Sequence, residues 1–135
     1  MIGIIDYGMG NIGSIENMLK RINTSSVITS NIDKLNQCNK LILPGVGAFD
    51  QGMQNLNDMG LISYLNNFAI KQNKPILGIC LGMHLFANTS EEGSLPGLGW
   101  IKGIAKKFIF NDYDIKVPHM GWNTIEPKKS ILFEA

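Results

Sequence analysis

Four short apolar runs, each closed by a turn-forming residue, constrain this chain more than any other feature. Ile2-Gly3-Ile4-Ile5 ends at Asp6 and the turn Tyr7-Gly8-Met9-Gly10. Residues 26–29 form a second run. Residues 40–43 form a third, stopped by Pro44 and the turn Gly45-Val46-Gly47. Residues 75–79 form the fourth. The stretches between them have helical periodicity. Asn11 suits an N-cap, and Ile12, Ile15, Leu19 and Ile22 then share one face. Residues 31–37 read as a short helix or turn. Residues 48–57 and 61–72 read as helices broken near Gly60, and residues 81–88 as the helix after the fourth run. Apolar strands alternating with helices predict a parallel sheet covered on both faces. The right-handed crossover rule then favours an open, doubly wound, mostly parallel α/β sheet.

Past residue 88 the texture changes. Leu95-Pro96-Gly97-Leu98-Gly99-Trp100-Ile101 reads as a loop entering a strand. Residues 105–110 and 115–117 read as strands separated by an Asn111-Asp112 turn. Helical patterning is absent there, which predicts an antiparallel extension and not a second domain. A chain of 135 residues has room for one domain, residues 1–135. Hydrophobic residues, at 44%, suffice for a core, so general disorder is excluded. A net charge of +1 leaves no electrostatic footprint for nucleic acid or an anionic membrane. No apolar run approaches the ~20 residues of a membrane span, and Asp6 stands where a signal peptide would be basic. The expectation is a cytoplasmic protein. Two cysteines, Cys38 and Cys80, make no disulfide framework and lack metal-ligand spacing. No metal or cofactor is expected.

The strongest local signal is Gly78-Ile79-Cys80-Leu81-Gly82, with a buried strand before it and a helix after it. This is the pattern of a nucleophile elbow, Gly-x-Ser-x-Gly, with sulfur in place of oxygen. A strained strand-to-helix turn stands the nucleophile clear of the backbone, and glycines two before and two after leave space for that turn. The helix directs its N-terminus at the sulfur, favouring thiolate. The backbone N–H of Leu81 is placed to donate to a developing oxyanion. A lone Gly-x-Cys-x-Gly is equally compatible with an inert buried cysteine; the flanking strand and helix favour the nucleophile.

Pro44-Gly45-Val46-Gly47 follows another strand and opens onto the same sheet edge, where parallel sheets bind ligands. Its glycines would let backbone N–H groups face a substrate carbonyl. Taken alone, it is an ordinary strand-to-helix turn. Pro118-His119-Met120-Gly121-Trp122-Asn123 concentrates Met, Trp and His. It fits equally a strand whose Trp122 fills core and an interaction surface.

Taken together, these segments resemble the class I (triad) glutamine amidotransferases. Within that group they are most similar to the glutaminase subunit of imidazole glycerol phosphate synthase. The resemblance is carried by Ile5-Asp6-Tyr7-Gly8-Met9-Gly10-Asn11, Leu43-Pro44-Gly45-Val46-Gly47, Leu77-Gly78-Ile79-Cys80-Leu81-Gly82-Met83, Ser90-Glu91-Glu92 and Pro118-His119-Met120-Gly121-Trp122-Asn123. It implies that Cys80 attacks the side-chain amide of glutamine, giving a thioester and ammonia. It implies an oxyanion hole from Leu81 N–H and the backbone of Gly45, Val46 and Gly47, with a reorientation that couples hydrolysis to a partner. Glu92 matches a position that contacts the substrate α-amino group. Asn11, Met120 and Trp122 match the face that docks on a (β/α)8-barrel cyclase subunit, through which ammonia passes.

Two departures qualify the resemblance. The family has Gln four residues after the nucleophile, where it holds the substrate; here His84 stands there. A residue at +4 leans back toward the helix N-terminus, so His84 should still reach the pocket. The family's triad His and Glu lie in a later segment, so the resemblance covers the first two-thirds of such a domain. The chain is therefore expected to be incomplete at its C-terminus and inactive alone. Two alternatives stay open. The same glutaminase chemistry could feed a sugar-modifying synthetase in surface-polysaccharide synthesis, whose relatives share the opening segment and Leu95-Pro96-Gly97-Leu98-Gly99-Trp100. Alternatively, the chain is a non-catalytic binding or regulatory subunit that lacks the triad.

Overall fold

The computed structural model describes residues 1–110, 117–118 and 120–126. Four strands form the sheet: β1 (Ile2–Ile5), β2 (Ser26–Thr29), β3 (Lys40–Leu43) and β4 (Ile76–Gly78). Their order is β2-β1-β3-β4 and every pairing is parallel. From β1 the chain crosses to β2 on one side and then returns to β3 on the other. The crevice outside the carboxyl ends of β1 and β3 is therefore the switch point where such sheets bind ligands. The loops after β1, β3 and β4 all open there.

Alternation along the strands divides the core. Ile4 and Ile42 face α1 (Ile12–Arg21) and its buried Leu19. Ile5, Leu41 and Leu43 face the opposite way, onto α2 (Ile32–Asn36), α3 (Phe49–Asp58) and α4 (Leu61–Asn66). Phe49, Leu56, Leu61 and Leu65 are fully buried on that side. The helix starts follow the sequence. The Asn11 side chain accepts from Ser14 N–H at 3.3 Å and the Asn31 side chain from Lys34 N–H at 3.1 Å. Gly60, at φ +66, makes the break between α3 and α4. The expected helix over 61–72 holds to Asn66 and continues as a π-helical turn, Asn67–Lys71.

Three expectations need correction. The helix expected over 81–88 is a single turn, α5 (Leu81–His84). The residues after it hydrogen-bond to a later segment, which supplies donors to carbonyls that a helix ending at residue 88 would leave open. Leu98 N–H donates to Leu85 O at 2.8 Å, Ile101 N–H to Phe86 O at 2.9 Å and Gly99 N–H to Ala87 O at 3.1 Å. The chain goes instead into β5 (Ala87–Ser90). The extension is also parallel and not antiparallel. β5 pairs with β6 (Ile101–Ala105) in the same direction, with a register shift between Ala87 and Thr89. A long return over α3 separates these strands, in place of the tight turn an antiparallel pair uses. The strand expected over 105–110 is displaced to Ile101–Ala105. The expected Asn111-Asp112 turn and most of the 115–117 strand lie outside the described residues. Among the described residues, no helix is long and apolar enough to cross a membrane.

Candidate active site

Cys80 follows β4 at the entry to α5, with φ 55 and ψ −117. Three described non-glycine residues have positive φ, and the other two are Asn23 and Asn73, a type that tolerates the left-handed region. Cys80 lies outside even that region, so its conformation costs about 1–3 kcal/mol and needs surrounding structure to hold it. That structure is backbone. Ile79 N–H donates to Leu43 O at 3.0 Å, Gly82 N–H to Ile79 O at 3.0 Å and Met83 N–H to Cys80 O at 3.0 Å. The flanking glycines allow the close approach. A Cβ on Gly78 would meet Met83 N at 2.7 Å, and one on Gly82 would strike the Leu43 carbonyl oxygen.

The outcome is an exposed Cys80 thiol in a chain whose other cysteine, Cys38, is fully buried. Cys38 bonds to Lys34 O at 3.6 Å, and burial pushes its thiol pKa up. With α5 only four residues long, the extended helix dipole expected behind Cys80 shrinks to the first-turn amides.

The loop after β3 lies against this elbow. A Cβ on Gly45 would sit 2.9 Å from Leu81 Cβ and 3.0 Å from Gly82 N. Gly10 approaches Gly45 from the β1 side, where a Cβ would meet Gly45 N at 3.1 Å. Gly47 has φ +125. Among the described residues, the N–H groups of Gly45, Val46, Gly47 and Leu81 have no protein acceptor. Cys80, Leu81 and the start of the Gly45-Val46-Gly47 turn are thus brought together. An accessible thiol beside unspent backbone donors can attack a carbonyl carbon and stabilise the charge that develops on its oxygen.

The remaining residues singled out from sequence are placed as follows. His84 is exposed, at the end of α5, with its N–H on Cys80 O at 3.3 Å. Among the described residues it is the one imidazole; His119 lies outside them. Glu92 is exposed in the turn after β5, its N–H donating to Ser90 Oγ at 3.1 Å. Asn11 caps α1 beside the switch point. Met120 is 85% exposed and Trp122 fully exposed, so Trp122 does not fill core.

Two residues acquire a role only in the folded structure. Tyr7 is fully buried, and its phenol donates to Pro44 O at 2.6 Å. Burial, and secondarily the charge of Cys80, push its pKa up to about 12, so it remains a donor at any physiological pH. Asp50, in the first turn of α3, accepts Ser94 N–H on both carboxylate oxygens at 2.9 Å and Leu95 N–H at 2.9 Å. It anchors the segment that follows Glu92. The signal available was weak: a tyrosine after β1 neighbours the end of β3 only once the strand order is known.

Comparison with known proteins adds three findings. A family model described as glutamine amidotransferase class-I matches residues 3–130. The chain is 52% identical over 126 residues to imidazole glycerol phosphate synthase subunit HisH 2 of Methanococcus maripaludis, covering 93% of this chain and 62% of that protein. It is 48% identical over 128 residues to the subunit of the same name from Pseudomonas aeruginosa, covering 95% and 63%. The chain therefore spans less than two-thirds of these relatives. A crystal structure of a glutamine amidotransferase superposes with a TM-score of 0.66 at 18% identity, covering 83% of this chain and 59% of that one. That likeness concerns the fold.

Proposed function

This chain belongs to the class-I glutamine amidotransferase family, and from that premise we propose that the protein carrying it is a glutaminase that releases ammonia from glutamine. The observation that carries the reading is the strained, exposed Cys80 next to the open N–H group of Leu81, with the start of the Gly45-Val46-Gly47 turn packed on the same elbow. The Cys80 sulfur attacks the side-chain amide carbon, and the oxygen takes up charge against those backbone groups. The intermediate collapses as the carbon–nitrogen bond breaks. The proton given up by the thiol passes to the nitrogen, which departs as ammonia, leaving a thioester. Water then attacks the thioester, giving glutamate and restoring the thiol. His84 and Glu92 act in this reading as substrate contacts.

The released ammonia goes to the (β/α)8-barrel cyclase subunit of an imidazole glycerol phosphate synthase, in histidine biosynthesis. The names of the relatives described above support this destination over a sugar-modifying synthetase. Asn11, Met120 and Trp122 form part of the docking face, and the exposure of Met120 and Trp122 agrees with that. A cytoplasmic location goes with this reading.

The test uses the full-length protein with its cyclase partner and compares glutamine with free ammonia as nitrogen source. Cys80→Ala should abolish glutamine-dependent turnover and spare the ammonia-dependent reaction, because the partner's chemistry does not use the thiol. Glutamine-dependent turnover that survives Cys80→Ala overturns the reading.

A further inference from the structure

Pro44 is the residue at which the chain leaves β3, and it is buried. A buried carbonyl needs a donor. Pro44 O receives one from across the sheet, the Tyr7 phenol at 2.6 Å. Tyr7 is held from its other side as well, because Asn55 Nδ2 of α3 donates to Tyr7 O at 3.0 Å. A peptide unit is planar, so fixing its oxygen also fixes the direction of the N–H on its opposite edge. The unit in question joins Pro44 to Gly45, and Gly45 rests against Leu81 and Gly82 of the elbow. The next two residues are Val46, exposed, and Gly47, at φ +125. A segment with two glycines in three residues has wide conformational freedom unless something fixes its start.

We propose that Tyr7 is a positioning residue for the reaction at Cys80: its hydroxyl, bonded to the Pro44 carbonyl, sets the direction of the Gly45 N–H at the start of the turn that lies against the Cys80 elbow. It acts through the loop and touches no reacting atom. The inference rests on Cys80 being the nucleophile. It separates two contributions that meet at the thiol. The elbow glycines hold the sulfur, and Tyr7 with Asn55 holds the Gly45 N–H. Losing Tyr7's hydroxyl should therefore weaken stabilisation of the transition state while leaving the thiol and the bound substrate as they were.

The experiment is Tyr7→Phe in the full-length protein assayed with its synthase partner. That change removes one oxygen and keeps the ring. The expected result is a fall in kcat with glutamine of roughly 10- to 100-fold, below the loss of an oxyanion donor outright. KM for glutamine should stay within about twofold. Alkylation of Cys80 by iodoacetamide should proceed at the wild-type rate. An unchanged kcat overturns the proposal. So does a parallel fall in kcat and alkylation rate, which would mark Tyr7 as ordinary core packing around the elbow. Should Tyr7→Phe fail to fold, Asn55→Ala frees Tyr7 from its other side and is expected to show the same split between kcat and alkylation; its absence there overturns the proposal equally. Cys80→Ala run alongside keeps the two readings apart. Glutaminase activity in that variant removes the underlying function. An inactive Cys80→Ala with a full-rate Tyr7→Phe removes this inference alone.

Discussion

His84 occupies the position one turn beyond Cys80, and we propose that it contacts the substrate and is not the general base. A general base needs a third group to orient it. The one hydrogen bond at His84 among the described residues is its backbone N–H on Cys80 O. Its ring is exposed on a helix of four residues, which suits contact with a bound amino acid. In the full-length protein, His84→Gln should change KM for glutamine and leave kcat within about threefold, read from steady-state ammonia release. A fall in kcat of ~10²-fold or more would make it the base. Cys80 itself was legible in the sequence because its glycines and flanking elements are local. Tyr7 was not. Its partner Pro44 lies 37 residues away, and only the adjacency of β1 and β3 brings the two together.

The strands were the most legible elements, since each is an apolar run bounded by turn residues. What the sequence conceals is competition between segments. Residues 81–88 read as helix in isolation, yet amides of Leu98, Gly99 and Ile101 donate to the carbonyls of Leu85, Ala87 and Phe86, which a helix ending at residue 88 would leave unpaired, and residues 87–90 become a strand. The direction of β5 against β6 was hidden for a related reason. Pairing direction depends on the path of the connection, and that path is fixed by Asp50, 44 residues from Ser94. A carboxylate taking backbone N–H groups on both oxygens is a strong, charge-assisted anchor. Gly93 comes so close that a Cβ there would strike Asp50 Oδ1. One side chain therefore ties the turn carrying Glu92 to the helix that follows Gly47. Asp50→Asn replaces one acceptor with a donor facing the same amides. It should raise KM for glutamine roughly tenfold, about 1.4 kcal/mol, with kcat little changed. An unchanged KM would mean that Glu92's placement does not depend on this anchor.

For the molecule as a whole, three separate connections converge on one point of the sheet. The β1 loop brings Tyr7 and Gly10, the β3 loop Gly45 to Gly47, and the β4 turn Cys80 and Leu81. The parallel order β2-β1-β3-β4 makes that convergence necessary, since adjacent strands end side by side. The alternation of runs and amphipathic stretches foretold the sheet, and the elbow foretold the strained, exposed thiol at its edge. Hydrogen bonds spanning dozens of residues supply what neither could. On the reading proposed above, this convergence makes Cys80, and not Cys38, a nucleophile toward glutamine. The most direct measurement treats the full-length protein with a diazoketone analogue of glutamine and maps the adduct by peptide mass spectrometry. The expected result is a single adduct on Cys80, prevented by excess glutamine, with Cys38 unmodified. Equal labelling of both thiols, or labelling of Cys80 that glutamine does not prevent, would contradict it.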